Sequence, residues 1–266
     1  MDRVSHGFVQ SDGLRLHYLD FGGHGRPILC LHGVTGHAWV WHGVARILSS
    51  AARVVSVDMR GFGDSQWSAE QRYTTDDHVH DLATVVDSLR VDQVDVTGSS
   101  WGGLVGIAYA SAYPDRVRRL ALVDVAPSSS QGEEEVPPRQ ASYDYHEQAV
   151  AQERAANPHA PDDMIEVAAA FGTRPGEQGR LYLKQDPYFL SRWPFRADDR
   201  WEQLAGLEMP VLVVHAANGF IPGEVAEKMA STAKDATLVD IADSGHVIPV
   251  ENPEALANAL RSFFAA

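Results

Sequence analysis

Ser100 stands in the frame Gly98-Ser99-Ser100-Trp101-Gly102-Gly103, after the alternating apolar residues Val94 and Val96 and before Leu104, Val105, Ile107, Ala108 and Tyr109. That order predicts a buried strand, a very tight turn and an apolar helix. The Gly98-x-Ser100-x-Gly102 spacing is that of a nucleophile elbow. Its glycines let the chain reverse with almost no side-chain bulk, so one serine sits strained and exposed at the strand's end. The helix that follows aims free N–H groups and its positive dipole end at the same point. The chemistry this suits is attack of a hydroxyl on a carbonyl carbon. A serine hydroxyl is a poor nucleophile near neutral pH, however, and needs an adjacent base. The chain has 12 histidines to choose from. No two of them show the i, i+4 spacing with an intervening Glu of a helical zinc site, so neither a metal nor another cofactor is expected.

The elements that must hold this serine read as alternating strands and helices. Gly7–Gln10 and Leu14–Phe21 form a predicted hairpin around Asp12-Gly13. Pro27–Leu31 and Arg53–Val57 are continuous apolar runs, as strands buried on both faces require. Thr75–Leu89 has helical periodicity, and Leu120–Val125, Val211–His215 and Thr237–Ile241 complete the strand pattern. Helices are predicted around Trp39–Leu48 and Val225–Ala233, and a last one is capped by Asn252-Pro253-Glu254. The fold class is therefore α/β, a mostly parallel central sheet with helices on both faces. From Pro127 to about Gly206 the rhythm breaks: a polar, Pro-rich approach (Ser128–Ser130, Glu133–Glu135, Pro137-Pro138) leads into helices around Tyr143–Ala156 and Asp162–Ala170. The expected organisation is a core of residues 1–126 and 207–266 with a helical cap insertion at 127–206.

Composition narrows the partners. Acidic residues outnumber basic ones 36 to 22, a formal charge of −14, which disfavours nucleic acid and anionic membrane surfaces. The single cysteine, Cys30, sits in an apolar run and reads as an inert core residue. Neither a charged-then-apolar leader nor an apolar run approaching the ~18 residues of a membrane span appears. The expectation is a soluble, cytoplasmic monomer or homodimer acting on a small molecule.

The chain resembles the α/β-hydrolase superfamily over nearly its whole length apart from the insertion. The resemblance rests on His32-Gly33, on Asp58-x-Arg60-Gly61-x-Gly63-x-Ser65, on the elbow itself, on Tyr113-Pro114-Asp115-Arg116-Val117 and on Gly245-His246, all in the family's order. It implies Ser100 as nucleophile and His246, in the loop after the last strand, as base. It also implies the backbone N–H groups of Val34 and Trp101 as the oxyanion hole, with Gly33 letting the chain come close to the substrate. His32 reads as a structural part of its turn, and Asp58 and Asp64 as local braces of their glycine-rich loop. His37, His42, His78 and His80 fall on predicted helices or their approaches and are expected to be solvated.

The acid departs from the family's usual pattern. The loop where most members carry it reads Ala216-Ala217-Asn218-Gly219-Phe220-Ile221-Pro222, with Gly219 or Phe220 at the acid's place. A second solution in the superfamily puts the acid after the strand that follows the elbow helix, which here ends at Asp124. Asn218, Glu224 or a bare Ser-His dyad are the alternatives. The resemblance implies hydrolysis of a carboxylic ester or lactone through an acyl-enzyme. The insertion supplies Tyr143, Tyr145, Phe171, Tyr182, Tyr188, Phe189, Trp193 and Phe195, which suits a small apolar or aromatic substrate, with Trp193 as the expected pocket wall. Carbon–carbon bond hydrolysis, cofactor-free oxygenation of an aromatic substrate and non-catalytic small-molecule reception are the competing readings.

Overall fold

Strand alternation becomes an eight-stranded sheet in the computed structural model, which describes residues 4–128 and 140–265. Strands β1 (Ser5–Ser11) and β2 (Leu14–Asp20) form the antiparallel hairpin. Asp12 and Gly13 turn it with φ of 49° and 78°, the left-handed pair a tight hairpin needs. They are followed by β3 (Pro27–Leu31), β4 (Arg53–Asp58), β5 (Val94–Ser99) and β6 (Val117–Val123). Between these strands run α1 (His42–Leu48), α2 (Thr75–Ser88) and α3 (Trp101–Ala112). The insertion carries β7 (Ser142–Tyr143), α4 (His146–Ala156), α5 (Asp162–Gly172), β8 (Thr173–Pro175), β9 (Leu181–Leu183) and α6 (Trp201–Gly206). The chain closes with β10 (Val211–Ala216), α7 (Gly223–Thr232), β11 (Ala236–Ile241), α8 (Ile248–Glu251) and α9 (Pro253–Ala265).

The strand order is β1-β2-β4-β3-β5-β6-β10-β11, parallel from β4 onward. After β4 the chain crosses back over β3 to lay down β5. The C-terminal ends of β3 and β5 thus flank the switch point where parallel sheets bind ligands. His32-Gly33-Val34 leaves one of those ends and Ser100 the other.

Both faces of the central strands are buried. In β3, Leu29 and Leu31 join one apolar cluster with Val85, Leu104 and Val105, while Ile28 and Cys30 join the other with Trp41, Leu256 and Leu260. Two-residue alternation thus feeds two cores, which is why these strands read as unbroken apolar runs. Burial pushes the Cys30 thiol far above its usual range and leaves it unreactive. Helix α2 starts with a capping box between Thr74 and Asp77, and α9 with the Asn252 side chain accepting from Ala255 N–H at 3.2 Å. No helix among the described residues is long and apolar enough to cross a membrane.

Three expectations need correction. The insertion contains a small sheet, β7-β9-β8, which its short and irregular strands concealed. His78 is buried, not solvated, because it lies four residues before Leu82 on the inward face of α2 and its ring meets Trp101 edge-on at 4.7 Å. His37 is buried too, under α5, with Nε2 3.1 Å from the Ala168 carbonyl. The polar approach at Glu133–Glu135 and Pro137-Pro138, with Ser129–Ser130, lies outside the described residues.

The insertion is stitched at its two ends by a bridge between Ser128 and Asp199 and by Arg200 N–H donating to the Pro127 carbonyl at 2.9 Å. Met164 and Ile165 of α5 join one face's core, and Phe189 joins the other's.

The elbow's glycines permit no side chain. A Cβ on Gly98 would stand 2.2 Å from the Gly102 carbonyl oxygen, and one on Gly102 would stand 2.5 Å from the Leu31 oxygen. Both obstacles are backbone. Gly98→Ala is expected to cost about 2–3 kcal/mol, lowering Tm by roughly 5–10 °C in a thermal melt. Gly206→Ala, where nothing lies within 4 Å of the added carbon, leaves Tm unchanged or slightly raised.

Candidate active site

Ser100 follows β5 directly with φ 53° and ψ −125°, a conformation L side chains rarely adopt. Its N–H donates to the Val123 carbonyl at 3.0 Å, so the serine is fixed at the end of β6 as well as β5. Gly33 faces it closely: a Cβ there would be 3.1 Å from Ser100 Cβ and 3.6 Å from Oγ. The loop leaving β3 and the elbow therefore touch, as their glycines demanded. The N–H groups of Val34 and Trp101 donate to no described acceptor. Trp101 opens α3, where first-turn N–H groups have no partner within the helix. Ser100 Oγ makes no hydrogen bond with a described residue.

The residue after Val123 is Asp124, and it holds His246. His246 Nδ1 donates to Asp124 Oδ2 at 2.7 Å, while Asp124 Oδ1 accepts the Ala216 N–H at 3.0 Å. Asp124 is 1% exposed and its carboxylate is fully buried, so its hydrogen bonds supply what water would. With Nδ1 carrying the proton to Asp124, Nε2 of His246 is left with its lone pair, the form a proton acceptor needs. Asn218 and Glu224 are exposed, and neither side chain bonds to His246. The Asn218 N–H instead braces the histidine's loop by donating to the Ser244 carbonyl at 3.1 Å.

Gly219 explains the departure in the loop after β10. A Cβ there would lie 2.5 Å from Asp124 Oδ2 and 2.9 Å from Ala216 Cβ. The loop passes directly over the carboxylate, and only glycine leaves it room. Phe220, next in line, is 80% exposed and its ring lies 4.8 Å from that of His246.

A buried polar frame backs the loop that leaves β3. His32 uses both ring nitrogens: Nδ1 donates to the Gly33 carbonyl at 2.7 Å and Nε2 accepts the Met59 N–H at 3.1 Å. Burial lowers its pKa to about 4, so the ring is neutral at pH 7. Asp58 takes hydrogen bonds from His17 Nδ1 and Ala38 N–H, both at 2.6 Å, and from Asp64 N–H at 2.9 Å. Burial alone would push Asp58 up, but the hydrogen bond and attraction of His17 hold it at about 2. Asp64 contributes its N–H to this frame, while its carboxylate meets Lys184 of the insertion at 2.7 Å. Sequence reasoning missed His17 as the partner of Asp58, since 41 residues separate them.

The insertion's aromatic side chains pack its own interior and its seam with the core. Tyr143 is buried beside Ala149 and Ala169, and Phe171 stacks on Trp39 at 3.9 Å. Phe189 meets Phe62 at 4.3 Å and Tyr73 at 4.7 Å. Trp193 is half-buried against Phe195, which lies 5.3 Å from the ring of Trp101. A polar chain runs beside them: Trp101 Nε1 donates to Thr75 Oγ1 at 2.9 Å, and Thr75 donates to Asp198 at 2.5 Å. The residue after the serine is thereby tied to the insertion twice.

Comparison with known proteins gives this arrangement its setting. The family model described as "alpha/beta hydrolase fold" matches residues 26–253. A 2-hydroxy-6-oxo-2,4-heptadienoate hydrolase of Pseudomonas putida is 28% identical, the match covering 97% of this chain and 95% of that protein. A 3-hydroxybutyrate-oligomer hydrolase of Cupriavidus necator is 30% identical, with 98% of each covered. Among solved structures, E-2-(acetamidomethylene)succinate hydrolase superposes with a TM-score of 0.87 at 21% identity, covering 99% of this chain and all of that one.

The neutral histidines behind the site set an acid limit on folding. Burial lowers His32 from 6.5 to about 4 and His78 from 6.5 to about 3. Above pH 6.5 both rings are neutral, folded or unfolded, and impose no penalty. As pH falls below 6.5 the unfolded chain takes up protons that the buried rings refuse. Stability is therefore expected to drop by about 2 kcal/mol for each ring between pH 6.5 and 5. Asp58 adds its own loss only below its ordinary value of 3.8. Urea unfolding at pH 7.5 and pH 5 reads the drop, and His78→Leu should make it smaller. A stability independent of pH over that range contradicts the assignment.

Proposed function

This chain belongs to the alpha/beta hydrolase family, and we propose that it hydrolyses a carboxylic ester or lactone through an acyl-enzyme on Ser100. The observation that carries this reading is the buried Asp124 carboxylate orienting His246 by a 2.7 Å hydrogen bond at the strand end next to Ser100. On binding of substrate, Ser100 Oγ closes to hydrogen-bond distance of His246 Nε2, passes it the proton and attacks the carbonyl carbon. The resulting oxyanion is held by the unpartnered N–H groups of Val34 and Trp101. His246 then hands its proton to the leaving alcohol. In the second half, water repeats the attack with His246 again as base, the bond to Ser100 Oγ breaks as His246 returns the proton to that oxygen, and the carboxylic acid departs. Asp124 stabilises the imidazolium in each half and stays ionised.

The described residues of the insertion, from 140 to 206, act as the lid over this site. Phe195 and Trp193, both partly exposed, supply an aromatic wall to the pocket, which favours a small apolar or aromatic acyl group. The ester reading draws support from the Cupriavidus relative, since oligomers of a hydroxy acid are joined by ester bonds.

One observation favours a second reading. The Pseudomonas relative is named for a 6-oxo-dienoate, a compound with no ester or amide bond, so its hydrolysis breaks a carbon–carbon bond beside the ketone. The same serine, histidine and oxyanion donors suit that cleavage, with a carbanion in place of the alkoxide as leaving group.

Fluorophosphonate labelling with peptide mapping is expected to modify Ser100 and to abolish turnover of p-nitrophenyl esters. Asp124→Asn should lower kcat by about a thousandfold or more, while Asn218→Ala stays within a few-fold of the parent. A label on another residue, or full activity in Asp124→Asn, defeats this mechanism. Turnover of a 6-oxo-dienoate with none of any ester or lactone selects the second reading.

A further inference from the structure

The hairpin at the far edge of the sheet carries a nitrogen pair that the hydrolytic chemistry does not use. His6 on β1 and His17 on β2 lie diagonally across the antiparallel register, on one face of the hairpin. His6 Nδ1 and His17 Nε2 are 2.8 Å apart, a distance at which a single proton sits between the two rings. The loop after β4 brings Asp64 alongside, and the ligand atoms of all three residues fall within 4.8 Å of one another.

His17 is unusually well prepared. It is fully buried, and its other ring nitrogen, Nδ1, is bound to Asp58 Oδ2 at 2.6 Å. Its backbone N–H is held by Ser65 Oγ at 2.8 Å, and Ser65 in turn donates to the Asp58 carbonyl at 2.5 Å. A carboxylate behind an imidazole fixes the ring's orientation, the arrangement found behind metal-ligating histidines. His6 is exposed and gives the cluster an opening to solvent, and Asp64 is partly exposed with room to turn.

We propose that His6 Nδ1, His17 Nε2 and an Asp64 carboxylate oxygen form a binding site for a divalent transition-metal ion such as Zn²⁺. Two imidazole nitrogens and one carboxylate oxygen are a donor set that suits zinc, nickel or copper and poorly suits magnesium. A metal replaces the proton now shared by the rings, and that proton leaves to solvent or to His6 Nε2. Two nitrogens on one tetrahedral zinc stand about 3.3 Å apart, so the rings need separate by only roughly half an ångström. Asp64 turns one oxygen inward while the other keeps Lys184, and water fills the fourth position. The ligands come from three separate segments, which is why no spacing in the sequence marks the site.

Tag-free protein, stripped with a chelator, is titrated by calorimetry near pH 7.5 with Zn²⁺ and separately with Mg²⁺. The expected result is about one Zn²⁺ per chain, with affinity falling tenfold or more in His6→Ala and measurably in Asp64→Asn, and no response to Mg²⁺. Zn²⁺ should also raise the Tm of the parent and not of His6→Ala. His6 is an exposed side chain on an edge strand, so its removal leaves folding intact. Zinc binding that is absent, or equal in the parent and His6→Ala, overturns the site. So does a response to Mg²⁺ as strong as that to Zn²⁺.

Discussion

Backbone meets backbone where the elbow crosses the loop leaving β3, and the candidate site exists because no side chain intervenes. Gly102 lies against the carbonyls of Leu31 and His32, Gly98 against the carbonyl of Gly102, and Gly33 against Ser100 itself. Three successive contacts of this kind force the two strand ends together at the switch point of the sheet. They also explain why α3 is apolar on every side. A helix launched from so tight a turn runs straight across the middle of the sheet, so each residue from Trp101 to Ala110 is buried. The N–H of Trp101 at its start donates to no described acceptor.

The same crowding decides where an acid can stand. A carboxylate at position 219 would have to share space with Asp124, whose oxygen already occupies that place. The Asp124 carboxylate, just beyond the end of β6, partners the His246 imidazole beside the loop that follows β10. Asp124 holds φ at 43°, with its own N–H bonded to the Val214 carbonyl at 2.7 Å and one oxygen on the Ala216 N–H. Those two bonds anchor it to β10. Glycine at 219 and a buried carboxylate at Asp124 are thus two sides of one steric fact.

Much of this was legible in the sequence because it is written locally. Strand runs such as Pro27–Leu31, the helix start at Asn252 and the Gly-x-Ser-x-Gly turn each depend on residues a few positions apart. The sequence leaves Asp124, Asn218 and Glu224 open as partners of His246, because the 122 positions separating Asp124 from His246 hide the 2.7 Å hydrogen bond that joins them. What sequence could not give depends on residues distant in the chain. His78 was misplaced because a histidine on a helix reads as polar until Trp101, 23 positions later, is known to cover it. The β7-β9-β8 sheet escaped because strands of two or three residues carry no period to detect. The insertion's aromatics suit an apolar substrate by composition, but which of them pack against the core, as Phe171 does on Trp39 and Phe189 on Phe62, depends on residues distant in the chain.

Behind the site, the fold relies on buried charge rather than on apolar packing alone. Asp58 accepts from His17, from the Ala38 N–H and from the Asp64 N–H, and so joins the edge hairpin, the approach to α1 and the glycine-rich loop. Arg60, 1% exposed, forks onto both oxygens of Asp81 at 2.5 and 2.7 Å and ties that loop to α2. An apolar residue at either place would bury as much surface and fix nothing, because dispersion contacts have no preferred direction. A carboxylate with three donors around it has one low-energy arrangement, and leaving any donor unpaired in a dry interior costs about 1–3 kcal/mol. The loop that presents Gly33 and Val34 to the serine therefore inherits its position from ionic contacts behind it. The geometry of the candidate oxyanion donors is set as much by Asp58 and the neutral His32 as by the elbow they face.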